Sequence, residues 1–234
     1  MIFESLFSSS SGNAYIVSDS ETRLLIEGGV TKKKLQKATG YDIPKHALIS
    51  HEHKDHSHCV NDLIKDGVTL YMSEGTADAC GVDAVEVIEH GEQFTVGTLD
   101  IVPFTTVHDA REPLGFLIKS RIDGDGLVFA TDTVNLNYRF PGVTLLAIEA
   151  NFDQAILGRK EKMPEKVRHR IANTHFEIDK LCDYLRTLDL SQCREIYLLH
   201  LSDSTSHEGH FVNKVARAVP KGIKIIPCPK ETKK

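Results

Sequence analysis

The feature that most constrains this chain is a dense group of metal-binding residue types directly after a short apolar run. Residues 51–56 read His-Glu-His-Lys-Asp-His and follow the run at residues 47–50. Imidazole and carboxylate groups are donors that suit zinc or a similar divalent ion. If the apolar run is a strand, the first two histidines of this metal motif can face one metal centre and its last two donors a second. In hydrolases that use two metal ions, the ions lie about 3.5–4 Å apart. The motif therefore predicts an enzyme with two metal ions.

Three further donors occur in sequence order, each at the end of an apolar strand-like run. They are His108 after residues 105–107, Asp132 after residues 128–131 and His200 after residues 196–199. Alone, a histidine or aspartate at such a position is more often a loop residue or a cap. Their shared placement after the motif favours a metal site, in which Asp132 can bridge two ions.

Hydrophobic patterning predicts many short strands in the first two thirds of the chain and helices in the last third. We expect a short basic helix over residues 32–38, capped by Thr31, and a longer helix over residues 56–65 after the metal motif. Further helices are expected over residues 164–172, 177–188 and 206–218. This pattern is typical of two β-sheets covered on the outside by helices, in one domain.

The metal motif, taken with the three strand-end donors, resembles the metallo-β-lactamase fold superfamily, over nearly the whole chain. The resemblance implies an α/β fold, the αββα four-layer sandwich, in a single hydrolase domain over residues 1–234, with two Zn²⁺ ions and Mn²⁺ or Ni²⁺ as substitutes. Imidazole at His53 favours zinc and hydrolysis over redox iron. Carried over by position, one ion is held by His51, His53 and His108, the other by Asp55, His56 and His200, with Asp132 between them.

Finer similarity is to the YycJ/WalJ-like branch of presumed nucleases and to the phage anti-Pycsar cyclic-nucleotide phosphodiesterases. It lies in four segments: residues 10–13, 108–115, 149–153 and 200–202. The chain departs from the branch at residues 26–29, Ile-Glu-Gly-Gly, where Asp-Ala-Gly is more frequent. It also departs at residues 174–177, Thr-His-Phe-Glu, where Gly-His-Leu-Ser is more frequent.

Two residues are predicted to take part directly in catalysis. Asp55 would orient the attacking hydroxide. His175, expected between two helices, would protonate the departing oxygen; an exposed histidine with no role is the alternative. Candidate substrate-binding residues are Arg159, Lys160, Arg168 and His207. A solvated basic helix face is the default interpretation of the first three, and a structural role is the default for His207.

The leading functional prediction is hydrolysis of 3′,5′-cyclic mononucleotides, which in the anti-Pycsar proteins would block host immune signalling. Because the net charge is −5, the chain has no overall attraction for nucleic acid. A DNA or RNA nuclease is the main alternative, and a non-catalytic protein that sequesters nucleotides is a third. The start of the chain has no signal-peptide pattern and no run reaches about 18 apolar residues. We therefore expect a cytoplasmic protein with no membrane partner. The resemblance also implies a homodimer.

Overall fold

A computed structural model describes residues 1–232 of the chain. The chain divides into two compact units. Unit 1 contains residues 1–105 and 110–125 and the C-terminal residues from Pro229, and unit 2 contains residues 106–109 and 126–228. Within residues 1–232, no helix combines the length and the apolar character that crossing a membrane requires.

Unit 1 is built around a six-stranded sheet whose strands follow one another in chain order. The first three strands pair antiparallel, and the third to the sixth pair parallel. Since parallel strands end at the same edge of a sheet, the residues after the third and fourth strands are brought together there. The six strands are β1 (Ile2–Ser9), β2 (Gly12–Ser18), β3 (Arg23–Ile26), β4 (His46–Leu48), β5 (Thr69–Met72) and β6 (Glu86–Val87).

Four helical segments belong to unit 1: α1 (Lys32–Ala38), α2 (Lys54–Ser57), α3 (Val60–Lys65) and α4 (Glu74–Cys80). The side chain of Thr31 accepts a hydrogen bond from the backbone N–H of Lys34, so α1 begins where the cap predicts. Leu35 of α1 and Leu63 of α3 are fully buried and share a core with residues of β1 to β5. Burial of these apolar side chains holds the helices on the sheet.

The prediction of one helix over residues 56–65 is wrong, because the chain breaks between α2 and α3. The N–H of Cys59 donates to the carbonyl of Gly28 (2.8 Å), while the N–H of Gly28 donates to the carbonyl of His56 (2.8 Å). These two bonds take groups that a continuous helix would have used internally. A contact with the loop after β3 therefore overrides the local helical preference.

Unit 1 also holds three antiparallel strands, β7 (Phe94–Val96), β8 (Leu99–Thr105) and β9 (Leu114–Ser120). Asp19, after β2, links them to the six-stranded sheet. Its carboxylate accepts hydrogen bonds from the hydroxyls of Thr98 (2.6 Å) and Ser120 (2.8 Å) and from two backbone N–H groups. Burial alone would favour the neutral acid, but these four donors outweigh it and lower the pKa of Asp19 to about 2.

Unit 2 contains four parallel strands in the order β13-β12-β11-β10. They are β10 (Gly126–Ala130), β11 (Leu145–Glu149), β12 (Glu195–Leu199) and β13 (Lys224–Pro227). Every residue of β10 and β11 is buried. The strands' carboxyl ends share one edge, and this edge receives Asp132 after β10, Glu149 at the end of β11 and His200 after β12.

The helices of unit 2 are α5 (Gln154–Gly158), α6 (Glu165–Thr174), α7 (Ile178–Leu185) and α8 (Glu208–Ala218). Side chains cap three of them: Asp153 for α5, Glu177 for α7 and His207 for α8. The three helices predicted for this part of the chain are present, with ends shifted by a few residues. The five residues of α5 were not predicted, because so short a helix spans too little of the hydrophobic period to be recognised.

Candidate metal centre

In unit 1, the metal motif lies at the carboxyl end of β4. Ile49 and Ser50 are buried and lead directly into His51, and α2 starts within the motif. The ring of His51 lies 4.8 Å from that of His53 and 4.2 Å from that of His56, measured between centroids. The Ser50 hydroxyl lies 2.9 Å from Nδ1 of His51, so Nε2 is the ring nitrogen suited to a metal.

Two polar residues outside the motif lie against its second half. The amide nitrogen of Asn13 donates to the carbonyl of Asp55 (3.1 Å) and lies 3.1 Å from Nε2 of His56. A carboxylate oxygen of Glu27 lies 3.6 Å from Nδ1 of the same ring, and both side chains are fully buried. This separation is longer than a hydrogen bond, so Glu27 places a carboxylate near the ring without bonding to it directly. Nε2 of His56 also lies 3.4 Å from a carboxylate oxygen of Asp55.

The loop after β3 lies so close to the motif that one of its positions requires glycine. A Cβ atom on Gly29 would overlap the carbonyl oxygen of Asp55, whereas a Cβ on Gly28 would meet Leu63 at 3.3 Å, Cys59 at 3.4 Å and the carbonyl oxygen of His56 at 3.9 Å. Gly29 takes the place of the glycine in Asp-Ala-Gly, so this chain keeps the residue that the packing requires. Gly28 takes the place of the alanine, at a position where a Cβ atom has room.

In unit 2, three predicted ligands converge at the carboxyl edge of the parallel strands. Nε2 of His108 lies 3.4 Å from one carboxylate oxygen of Asp132, and Nδ1 of His200 lies 3.5 Å from the other. Nδ1 of His108 donates to the carbonyl of Thr174 (2.8 Å), which leaves Nε2 as the metal-binding atom of that ring. Burial lowers the pKa of His108 by more than the nearby Asp132 raises it. The neutral imidazole that metal binding needs is thereby favoured.

His200 is held from behind by an amide. The side-chain nitrogen of Asn151 lies 3.0 Å from Nδ1 of His200 and donates to its carbonyl (2.9 Å). Both His200 and Asp132 have a left-handed backbone, with φ of 53° and 43°. Both residue types are enriched in that conformation relative to other non-glycine residues.

The sequence analysis gave Glu149 no role, yet it lies at the centre of this edge. Its side chain is fully buried, and Oε1 accepts a hydrogen bond from Nδ1 of His175 at 2.6 Å. Oε2 accepts from the backbone N–H groups of Thr133 (2.9 Å) and Phe176 (3.0 Å). Two sequence signals could have marked it: it is an acid ending an otherwise apolar strand, and it begins the segment at residues 149–153 that carries part of the family resemblance. Its partner His175 is 26 residues away.

Charge at this Glu149–His175 pair is stabilised inside the protein. Burial opposes the charged form of both groups. It is outweighed by their mutual attraction and hydrogen bond, which raise the pKa of His175 and lower the pKa of Glu149. The charged form of the pair, a carboxylate beside a protonated imidazole, is thereby favoured, with Nδ1 of His175 as the donor to Glu149. The other ring nitrogen, Nε2, is then the position at which His175 can exchange a proton.

Ligand atoms of Asp132, Glu149, His175 and His200 all lie within 4.8 Å of one another. This set of carboxylates and imidazoles fits zinc and other borderline divalent ions. Glu149 is already committed to His175 and to two backbone groups. Asp132 and His200 are consequently the members of the set best placed to bind metal.

Among the predicted substrate-binding residues, Arg159 and His207 line one cavity of unit 2 together. Arg168 lines a different groove, between α5 and α6, and Lys160 follows the end of α5. His175 lies at the C-terminal end of α6, in the connection to α7 where it was expected.

Comparison with known proteins identifies the family to which the chain belongs. Residues 28–201 match the β-lactamase superfamily domain, and the chain belongs to that family of metallohydrolases. It is 32% identical to Exodeoxyribonuclease WalJ of Streptococcus pneumoniae, over 91% of this chain and 87% of that protein. It is 26% identical to Exodeoxyribonuclease YycJ of Bacillus anthracis, over 86% and 82%. The metallo-β-lactamase fold protein YhfI of Bacillus subtilis matches with a TM-score of 0.72 at 13% identity, over 98% and 97% of the two chains.

The family assignment confirms the predicted αββα fold class and the prediction of a metal-dependent hydrolase. It also confirms the resemblance to the YycJ/WalJ-like branch. The extent of a single domain over residues 1–234, the ligand set and the catalytic roles stay predictions.

Proposed function

We propose that this chain is a dinuclear metal-dependent phosphodiesterase that cleaves nucleotides from DNA. The observation that carries the chemistry is the buried Glu149–His175 pair beside Asp132 and His200. Such a pair supplies a positioned acid for an alkoxide leaving group, which a phosphodiester of DNA has and a lactam does not. The names of the relatives, at up to 32% identity over nearly the full chain, support DNA as the substrate.

The proposed ligand set is the one that the family resemblance implies. His51, His53 and His108 would hold one ion, Asp55, His56 and His200 would hold the other, and Asp132 would be shared. Two Zn²⁺ are the proposed ions, with Mn²⁺ or Ni²⁺ as substitutes, because imidazole dominates the set. When bound, two such ions lower the pKa of water and offset charge on the phosphate.

The chain's own residues do the rest of the chemistry. The carboxylate of Asp55 orients the attacking water. His175 transfers the proton on Nε2 to the departing oxygen, while Glu149 holds Nδ1 of the same ring and stabilises its charge. Asn13 and Asn151 keep the proposed ligands His56 and His200 in position.

Hydrolysis of 3′,5′-cyclic mononucleotides is the second candidate function. It is favoured by the net charge of −5, since proteins that bind polymeric nucleic acid without sequence preference gain most of their affinity from phosphate neutralisation. The same site would open the cyclic diester, with His175 protonating the departing ribose oxygen. Sequestration of nucleotides without turnover is the third and least favoured, because it has no use for a positioned acid.

The deciding experiment offers the zinc- or manganese-loaded protein end-labelled single- and double-stranded DNA in parallel with cyclic mononucleotides. Release of mononucleotides from DNA at a higher kcat/KM than cyclic-nucleotide opening supports the proposal. Turnover of cyclic nucleotides alone would establish the second function, and stoichiometric capture of unchanged nucleotide on mass spectrometry the third.

We further propose that the chain works as a homodimer in which residues 135–140 or the basic segment at residues 159–170 approach the partner's site. Light scattering tests this, and a fully active monomer would refute it. The cytoplasmic location stays a prediction.

A further inference from the structure

Unit 2 contains a cavity of about 390 Å³ between the starts of α5 and α8. This volume falls in the range of pockets that take small organic ligands, roughly 300–1,000 Å³. Its lining residues are Asp153, Ala155, Ile156, Arg159, His207 and His210.

The lining combines an apolar wall with cationic and aromatic groups. Ala155 and Ile156 provide aliphatic surface, His207 and His210 provide imidazole rings, and Arg159 provides a guanidinium at the exposed end of α5. Guanidinium groups bind phosphate oxygens with paired, charge-assisted hydrogen bonds. Flat aromatic rings and aliphatic surface suit a nucleobase.

The single acid in the lining does not repel an anion, because its charge is already offset. One oxygen of the buried Asp153 accepts from the backbone N–H groups of Ala155 (2.7 Å) and Ile156 (3.2 Å). The other accepts from Nε2 of His210 (3.1 Å) and from Nζ of Lys214 (3.2 Å). The carboxylate thus builds the wall of the cavity and fixes His210.

Short backbone links tie the cavity to His200 within unit 2. The N–H of Asp153 donates to the carbonyl of Thr205 (2.9 Å), and the N–H of Ser202 donates to the carbonyl of Asn151 (3.0 Å). Asn151 in turn holds His200. The two segments that line the cavity, at residues 153–159 and 207–210, are therefore direct continuations of the segments that place His200.

We propose that this cavity binds a nucleotide unit of the substrate adjacent to the phosphate that is cleaved. Arg159 binds the phosphate of that unit, and its base packs against Ile156 and the ring of His207. This inference rests on the proposed function, because it requires the substrate to be a phosphodiester of nucleotides.

Binding of thymidine 5′-monophosphate tests the subsite without turnover. Isothermal titration is carried out on chelator-treated protein and again on zinc-loaded protein. Arg159→Ala is expected to weaken binding about ten-fold or more in both, the effect of losing one charge-assisted interaction. Ala155→Phe, which fills the apolar wall from an exposed position, is expected to weaken it comparably. Arg217→Ala is the matched control, since it removes an exposed guanidinium from the last turn of α8, which does not line the cavity, and is expected to leave binding unchanged.

Absence of binding, or equal binding by wild type, Arg159→Ala and Ala155→Phe, would overturn the subsite. An equal loss in Arg217→Ala would also overturn it, because the effect would then be one of general charge. Hydrolysis of bis(p-nitrophenyl) phosphate by the zinc-loaded wild type separately tests the proposed function. That ester carries no second phosphate and no nucleobase, so failure of one experiment does not imply failure of the other.

Discussion

Replacing Glu149 with glutamine changes the charge that positions His175 while nearly preserving shape. The carboxylate accepts from Nδ1 of His175 at 2.6 Å and from two backbone N–H groups. Glutamine has one acceptor oxygen, so its NH₂ group must face at least one of these donors. Loss of a hydrogen bond to a charged group costs about 1.5–3 kcal/mol, and each 1.4 kcal/mol is about ten-fold in rate. We expect Glu149→Gln to lower kcat on DNA by about 10- to 100-fold.

The leaving group separates a role in proton transfer from a role in folding. A DNA hydroxyl must be protonated as it departs, whereas p-nitrophenolate leaves readily without a proton. Glu149→Gln and His175→Ala are therefore expected to reduce cleavage of DNA far more than hydrolysis of bis(p-nitrophenyl) phosphate. Because Glu149 acts through His175, the double variant should be no slower than His175→Ala alone.

Glu177→Gln provides the matched control. It removes another carboxylate of unit 2 that is nearly buried and caps α7 through the N–H groups of Asp179 and Lys180. We expect a loss of stability of about 1 kcal/mol and no dependence on the leaving group. The reasoning is refuted if Glu149→Gln impairs both substrates equally at unchanged metal content, or if the losses in the double variant multiply.

Three further outcomes are expected. Asp132→Asn keeps a residue type that tolerates the left-handed backbone. It should lower the amount of bound metal, measured by plasma mass spectrometry, and reduce activity by more than about 100-fold. Full metal occupancy in this variant would contradict the bridging role. Gly29→Ala should destabilise the protein by about 3 kcal/mol or more, because its Cβ would overlap the backbone of the metal motif. Gly28→Ala should change the free energy of unfolding by about 1 kcal/mol or less. Equal effects of the two variants in denaturant titrations would show that the close approach is unimportant. Asp19→Asn should cost about 1–2 kcal/mol at pH 7. Since the folded-state pKa of Asp19 is lowered to about 2, the difference should shrink as the pH falls below about 4 and vanish near pH 2; a pH-independent difference in unfolding experiments would exclude this cause.

Local signals predicted those parts of the fold that local energetics decide. Helix α1 has the predicted bounds, residues 32–38, because the Thr31 cap and Leu35 burial agree. Strand β12 contains the strand-like run predicted at residues 196–199, because all four of these hydrophobic residues are buried. The break between α2 and α3 could not be predicted, since it depends on hydrogen bonds to Gly28, about 30 residues earlier.

In the candidate site, too, local signals predicted some residues, whereas contacts between distant parts of the sequence hid others. Donors at strand ends can be found from sequence, because strand patterns place them and their side-chain chemistry is explicit. The part played by Glu149 is hidden, since only the folded sheet and the α6–α7 connection bring it to His175. Likewise, only the folded structure shows that Arg159 lines the cavity beside α5 and that Lys160 does not. The basic run in the sequence does not distinguish these two residues.

The left-handed backbone at Asp132 and His200 gives these positions an evolutionary signature. Holding a non-glycine residue there costs on the order of 1 kcal/mol, and selection tolerates that cost only while the side chain is needed. Once a descendant of this chain no longer requires hydrolysis, glycine at either position would relieve the strain and raise stability. Inactive relatives should therefore be recognisable by Gly at these two positions before the other donors of the motif have drifted.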